Sequence, residues 1–391
     1  SQCICLISTA KVESIMFQGM NFSPASLPPA VARLREEVRA FLAEETDWQP
    51  NSDFNAGASP AFSKRLAQRG WIGMTWPTHY GGGGKSFLER YVVTEELLAA
   101  GAAVGCHWIA DRQSGPLLLK FGTEEQRHRF LPAIVAGDCF FSIGMSEPDT
   151  GSDLASIRTR AVKVDGGWCL NGSKIWTSGA HLNHYMVTLV RTAAASENRH
   201  AGLSQFIVPT RDPGVTVRGI DNLAGESDFN QVFFDDVFIA DDLVVGEPGN
   251  GWAQVMSELA YERSGPERFL SAFRVLAEFV RCLQSSSDKQ QRTLAGRLIT
   301  HLVTLRRMSI SVANMLENGE MPDTQAALIK DLGNTYERMV PELIRLQIPE
   351  QRSQALASAL QECILHAPSF TLRGGTREIL RGIIARGLGL R

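Results

Sequence analysis

The sequence predicts an α+β chain in which an N-terminal helical domain and a C-terminal helical bundle enclose a small all-β domain. Three observations carry this. Apolar residues recur at helical spacing before about Asp138 and again after Gly251. Between them the period drops toward two. Gly, Pro and Asp also punctuate that middle stretch at strand-length intervals. At 391 residues the chain has room for two to three domains and a cleft between them.

Residues 1–19 stand apart. The apolar stretch Cys3-Ile4-Cys5-Leu6-Ile7 has no basic residue before it and is too short for a secretory core. Phe17-Gln18-Gly19 reads as the scar of a cleavable tag, so Met20 is read as the native start. The N-terminal domain then spans 20–138. Val31, Leu34, Val38, Phe41 and Leu42 mark a helix over Ala30 to Leu42, and Phe87 to Ala103 reads the same way. Thr123 followed by Glu124, Glu125 and Gln126 is a cap with an acidic first turn, opening a helix toward Gly137. Tyr80 to Gly84 is a loop between helices.

The β domain spans 139–246. Ile157 to Val164 alternates, Asp165-Gly166-Gly167 turns the chain, and Trp168 to Ile175 returns as the second arm of a hairpin. Tyr185–Val190, Leu203–Val208, Val215–Ile220 and Gln231–Ile239 follow as strands. The bundle spans 247–391, with amphipathic stretches over Trp252–Leu283, Asp288–Leu316, Thr324–Leu346 and Gln351–Leu365, then a terminal segment from Gly374.

The 39 basic and 42 acidic residues leave a net charge of −3, which excludes nucleic acid and an anionic membrane surface as default partners. No apolar run reaches membrane-spanning length. Seven scattered cysteines, an odd number, form no disulfide framework and point to a reducing cytoplasm.

Several motifs tempt and fail. Gly83-Gly84-Lys85-Ser86 resembles the end of a phosphate-binding loop, but His79 stands where its first glycine belongs. His181 with His184, and Cys3 with Cys5, lack a second pair at zinc spacing, so no metal site is expected. Gly144 to Pro148 breaks the nucleophile-elbow pattern at its last position, and no dinucleotide-type glycine triplet follows a strand.

Met145-Ser146-Glu147-Pro148-Asp149-Thr150-Gly151-Ser152-Asp153 lies at the junction of the helical and β regions. Its small hydroxyl residues, Pro and Gly suit either a capped turn or a loop that hydrogen-bonds a flat polar ring or a phosphate. This segment resembles the acyl-CoA dehydrogenase signature. Lys174-Ile175-Trp176-Thr177-Ser178-Gly179 is similar to the family's second flavin-contact strand. Gly375-Thr376-Arg377-Glu378-Ile379, with Ile383-Ile384-Ala385-Arg386, resembles its terminal flavin loop and last helix. Trp76-Pro77 through Gly84 and Phe121 to Gln126 agree in order, so the resemblance runs from about residue 30 to the C-terminus.

The resemblance implies an acyl-CoA dehydrogenase-like fold whose middle domain is a small β-barrel and whose C-terminal domain is a four-helix bundle. It also implies bound FAD. Ile143, Met145 and Ser146 would contact the flavin ring. Gly151 and Ser152 would shape the loop beside the pyrophosphate and the substrate's pantetheine arm. Trp176 would cover the ring, with Thr177 and Ser178 bonding its polar edge. Thr376 and Glu378 would reach the phosphate and ribose region. The alternative for Trp176 is an interdomain core aromatic.

The reaction needs a carboxylate at the substrate's α-carbon, raised in pKa by burial. The family most often places it just before the Gly-Thr of the terminal loop, where this chain has Gly374. Long-chain and isovaleryl members carry it on the first bundle helix instead. Glu262-Arg263 matches that site, so the resemblance implies Glu262 as base and Arg263 as its orienting partner. The alternative is a solvated salt bridge, with Glu258, Glu262 and Glu267 all on one charge-rich helix. The Gly374 backbone N–H would still hold the thioester carbonyl and leave room for a bulky acyl chain.

Two family elements are missing. Cys282 to Gly296 lacks Arg-x-x-Phe-Gly, and Pro341 to Arg373 has no glycine where Gln-x-x-Gly-Gly-x-Gly belongs. Both act across a dimer interface. The expected assembly is therefore a homo-dimer or homo-tetramer, or a heteromer with a related subunit, as in some bacterial enzymes of bulky steroid-side-chain thioesters. The implied activity is α,β-dehydrogenation of an acyl-CoA in fatty-acid or lipid degradation, with electrons passed to an electron-transferring flavoprotein. The alternatives are an oxidase or carrier-protein-thioester dehydrogenase of the same fold, or a non-catalytic subunit.

Overall fold

The computed structural model describes residues 20–23, 26–45, 48–54, 57–194, 197–283, 288–348 and 352–390, without the side chains of 258–262. The extension expected at 1–19 lies outside the described residues.

Among the described residues, six α-helices form the N-terminal domain: α1 (Pro29–Glu44), α2 (Pro60–Gln68), α3 (Phe87–Ala100), α4 (Gly105–Ile109), α5 (Gly115–Phe121) and α6 (Glu124–Val135). The expected caps form. Ser86 Oγ accepts from the Glu89 N–H at 3.1 Å while Glu89 accepts from the Ser86 N–H at 2.9 Å, and Thr123 with Gln126 repeats the arrangement at α6. The Gly81–Gly84 loop is moulded on Trp76: a Cβ on Gly82 would stand 2.4 Å from the Trp76 carbonyl oxygen. These glycines serve close packing, and Lys85 donates its backbone N–H to the Met74 carbonyl at 2.7 Å. Between α4 and α5 the helix widens into one π-turn, Ala110–Ser114.

The middle domain is a single eight-stranded sheet: β1 (Phe141–Gly144), β2 (Arg160–Val164), β3 (Gly167–Ser178), β4 (Tyr185–Arg191), β5 (Leu203–Pro209), β6 (Val215–Ile220), β7 (Phe229–Ala240) and β8 (Val244–Val245). The order is β6-β7-β3-β2-β4-β5-β8, with β1 added in parallel to β4. The β2–β3 hairpin turns at Gly166, whose φ of +70° is open to glycine at little cost. The sheet curls so that Trp168 of β3 meets Phe206 of β5 edge to face, 5.5 Å between centroids.

The C-terminal bundle contains α7 (Gly251–Glu262), α8 (Phe273–Cys282), α9 (Lys289–Glu317), α10 (Asp323–Leu346), α11 (Gln354–His366) and α12 (Arg377–Gly387). Helices α8 to α11 pack together as the expected four. The single run expected over Trp252–Leu283 is broken after Glu262, because Pro266 offers no N–H to a continuing helix and a short 3₁₀ turn, Pro266–Arg268, takes its place. Glu267 therefore lies on no solvated helix face; it is buried and paired with Arg112 at 3.3 Å.

Buried polar side chains bind the domains together. Gln126 Nε2 donates to the carbonyls of Asp242 and Val244, both at 2.7 Å, and Gln254 Nε2 donates to that of Val245 at 2.6 Å. Glu95 of α3 accepts from Arg35 of α1 and from Arg306 of α9. Among the described residues no helix is long and apolar enough to cross a membrane.

Candidate active site

The end of β1 is tied to β3 by a buried ion pair. Lys174, fully buried, donates to Glu147 Oε1 at 2.8 Å and to the Met145 carbonyl at 3.0 Å. Glu147 also accepts from the backbone N–H groups of Arg158 (2.7 Å) and Thr159 (2.9 Å). The Ile175 N–H closes the tie on the Ser146 carbonyl at 2.9 Å. Burial lowers the Lys174 pKa to about 8 against the pull of Glu147. Burial opposes ionisation of Glu147 too, but Lys174 and the hydrogen bonds outweigh it and hold the carboxyl below its usual range.

This tie brings Ile143, Met145 and Ser146, all half-buried, beside the Lys174–Ser178 end of β3. There the ladder breaks: Lys174 pairs with Val232 and Thr177 with Asn230, three steps on β3 against two on β7. The extra residue forms a bulge, a device that re-aims side chains next to functional sites. Trp176 takes the left-handed conformation at φ 60° and is 57% exposed, its ring edge-on to Phe229. It is not an interdomain core aromatic.

Among the described residues, Thr177 Oγ1 on this strand and Thr150 Oγ1 on the signature loop are buried and lack a hydrogen-bond partner. An exposed tryptophan in a strained conformation, with orphaned hydroxyls near it, fits the edge of a flat, hydrogen-bonding ring. Thr177 would bond that ring and Trp176 would cover it. Ser178 is half-buried, and its carbonyl accepts from Ser142 Oγ at 2.9 Å. It lines a small cavity with Gly105, Cys106, His181 and Asp228. Burial, then the charges of Glu226 and Asp53, raises the Asp228 pKa to about 6.

Gly151 and Ser152 lie on the exposed part of the signature loop, which is closed by paired Glu147–Thr150 backbone hydrogen bonds. A Cβ on Gly151 would meet nothing within 4 Å, so its contribution is open approach rather than packing. Thr376 occupies the N-cap position of α12 without a capping bond from its side chain, and Glu378 sits exposed in the first turn. The Glu378 carboxyl is held low by its own backbone N–H and by Thr376. Among the described residues, no hydrogen bond or ion pair joins Thr376 or Glu378 to the β-domain cluster.

Glu262 is the last residue of α7, with its side chain outside the description; Arg263, which follows, is buried. Gly374 has φ +67°, and a Cβ there would lie 3.0 Å from Lys330 Cε and 3.2 Å from an Arg268 guanidinium nitrogen. Lys330 donates to the Gly375 carbonyl at 2.8 Å, and both cations are buried. The position that most often carries the base in the family thus stands beside two cations here.

Sequence reasoning missed these cations and the Glu147–Lys174 pair. Lys174 left a signal: it shares strand parity with the inward-facing Trp168 and Leu170. Arg268 and Lys330 left none, since each sits in an ordinary charged context. The residues read as non-functional hold structural contacts: His181 Nδ1 lies 2.9 Å from Asn230 Oδ1, and His184 Nδ1 accepts from the Phe140 N–H at 3.1 Å. Among the described residues no cluster of metal-ligating side chains occurs.

A helical domain, a curled sheet bearing an exposed, left-handed tryptophan and a helical bundle make up the architecture of a flavin-dependent dehydrogenase. Three sequence models match in the same order: the acyl-CoA dehydrogenase N-terminal domain over 29–138, the middle domain over 142–237 and the C-terminal domain over 249–389. The chain belongs to the acyl-CoA dehydrogenase family, whose members are FAD-binding oxidoreductases. It is 36% identical to acyl-CoA dehydrogenase IpdE1 of Mycobacterium tuberculosis, covering 92% of this chain and 98% of that one. It is 33% identical to acyl-CoA dehydrogenase FadE34 of the same organism, covering 92% of this chain and spanning about half of that relative (49%). Among solved structures, the Tcur3481-Tcur3483 steroid ACAD superposes with a TM-score of 0.82 at 29% identity, covering 95% of this chain and 99% of that chain. The ChsE4-ChsE5 complex from Mycobacterium tuberculosis gives 0.79 at 27%, covering 94% and 99%.

Proposed function

We propose that the chain catalyses FAD-dependent α,β-dehydrogenation of an acyl-CoA thioester, with electrons leaving to an electron-transferring flavoprotein. The observation that carries this is the exposed, left-handed Trp176 next to the buried, unpartnered Thr177 hydroxyl. Bound FAD supplies the hydride acceptor for the substrate's β-carbon. Glu262 takes the α-proton, and Arg263, buried directly after it, orients the carboxylate. The Gly374 N–H donates to the thioester carbonyl as negative charge develops there, a contribution of about 3 kcal/mol for one oxyanion donor. Gly151 and Ser152, exposed on the signature loop, leave the pantetheine arm a clear approach.

The assembly we propose pairs this chain with a related subunit. The two missing cross-dimer elements support it, and so do two relatives whose printed names join two chains. A partner would supply the flavin-holding arms that this sequence lacks. A second reading, a non-catalytic subunit of such a pair, rests on the same missing elements.

The test is the visible flavin spectrum of the purified chain, followed by anaerobic bleaching with a panel of acyl-CoAs, for wild type and Glu262→Gln. Bleaching by one thioester that is lost on Glu262→Gln supports the reading. Full reduction by the variant sinks Glu262 as base. A chain that stays colourless and inert with added FAD points to a missing partner subunit or to a non-catalytic role.

A further inference from the structure

Arg373, immediately before Gly374, carries a guanidinium that joins the N-terminal domain to the bundle, with its side chain 10% exposed. Nη1 donates to Asp53 Oδ1 at 3.1 Å. Nη2 donates to Ser271 Oγ at 2.5 Å and to Glu337 Oε2 at 3.4 Å. The guanidinium carbon also lies over two rings, 4.5 Å from the Phe54 centroid and 4.7 Å from that of Phe370. Asp53 and Phe54 belong to the N-terminal domain, Ser271 and Glu337 to the bundle. The two carboxylates are buried and held in turn: Glu337 accepts from the Ser271 N–H at 2.9 Å, and Asp53 accepts from Ser369 Oγ at 3.1 Å.

The far side of Gly374 is anchored as well. Lys330 donates to the Gly375 carbonyl at 2.8 Å, and Arg377 donates to Asp331 at 2.7 Å. Between these anchors the half-buried Gly374 N–H donates to no acceptor among the described residues. An open backbone donor between fixed neighbours takes its direction from them. A planar guanidinium can serve acceptors on several elements and stack on aromatic rings at once, whereas an ammonium is a compact point charge.

We propose that Arg373 is a positioning residue for the reaction, acting through the backbone to aim the Gly374 N–H at the thioester carbonyl. The inference rests on the acyl-CoA reading above. It makes the donor's direction depend on how the N-terminal domain seats against the bundle, because Asp53 and Phe54 hold one side of the guanidinium.

The experiment is anaerobic single-turnover bleaching of the FAD-loaded full chain, in wild type, Arg373→Lys and Asp53→Asn. The probes are butanoyl-, octanoyl-, hexadecanoyl-, isovaleryl- and cyclohexylpropanoyl-CoA, each over a range of concentrations. Arg373→Lys keeps the charge that Asp53 and Glu337 need but loses the fork. Its limiting bleaching rate should fall roughly tenfold to a hundredfold, while the half-saturating concentration stays within about threefold of wild type. Asp53→Asn should lower the limiting rate in the same way by a smaller factor. An Arg373→Lys limiting rate equal to wild type overturns the role and leaves the acyl-CoA reading standing. A defect confined to substrate affinity or FAD content also overturns it, since a purely structural arginine gives that pattern. If a melt shows Arg373→Lys to be unfolded, Asp53→Asn decides, and an unchanged limiting rate there overturns the role. If no thioester bleaches wild type, the acyl-CoA reading fails and the role of Arg373 with it.

Discussion

Lys174, wholly buried on β3, holds Glu147 of the signature loop at 2.8 Å and fixes the 145–153 loop and the 174–178 strand against each other. Removing the ammonium alone leaves a buried carboxylate with only two backbone donors. Lys174→Met should therefore cost about 3 kcal/mol of stability. Combining it with Glu147→Gln should recover most of that. Urea denaturation of wild type and the two variants checks it, and an unchanged midpoint for Lys174→Met would refute the structural weight given to the pair.

Trp176 stores backbone strain in the flavin-free protein. Trp176→Gly should relieve about 1 kcal/mol of it while weakening FAD binding tenfold or more. The two effects have opposite signs, so a thermal melt and an FAD titration on one sample separate them. Unaltered FAD affinity would remove Trp176 from the flavin site.

The Thr177 hydroxyl is desolvated without a partner. Thr177→Val keeps the shape and removes the orphan, which should stabilise the flavin-free protein by about 1 kcal/mol. The same change should reduce the gain in melting temperature that added FAD gives. A variant with an undiminished FAD-dependent gain would show that the hydroxyl faces no ligand.

At Gly374 a restored carboxylate would meet Arg268 and Lys330, which would hold it ionised and weakly basic. Gly374→Glu in a Glu262→Gln background should stay inactive in flavin bleaching, with Gly374→Ala controlling for strain at φ +67°. Rescue by the introduced glutamate would contradict this electrostatic account.

Asp228 gives a pH signature. Its folded pKa, raised by burial from 3.8 to about 6, means that the folded state binds more protons than the unfolded one between those values. Its contribution is thus full below about pH 4 and lost as pH rises through 6. Asp228→Asn should flatten the fall in stability over pH 4 to 6, leaving the mutant relatively more stable at pH 7. Parallel slopes for mutant and wild type across that window would count against the raised value.

The sequence was informative wherever a short-range rule applies. The capping boxes at Ser86 and Thr123, the Gly166 hairpin and the strands over 185–239 follow from periodicity and turn chemistry, which act over a few residues. The loop at 145–153 and the strand at 174–178 were legible as a pair because their motifs survive in order. Glu262 was legible only as a position on a helix.

Long-range juxtaposition was not legible. Nothing local marks the bulge that turns Trp176 outward and Thr177 inward, since it depends on one residue more in β3 than in β7. The sequence by itself determined three domains, their element types and the family motifs they carry. Only the tertiary structure decided that Arg268 and Lys330 flank Gly374, and that Asp53 holds Arg373. Those pairs lie 106, 44 and 320 residues apart along the chain, and no propensity or spacing rule spans such gaps; packing alone brings their charges together.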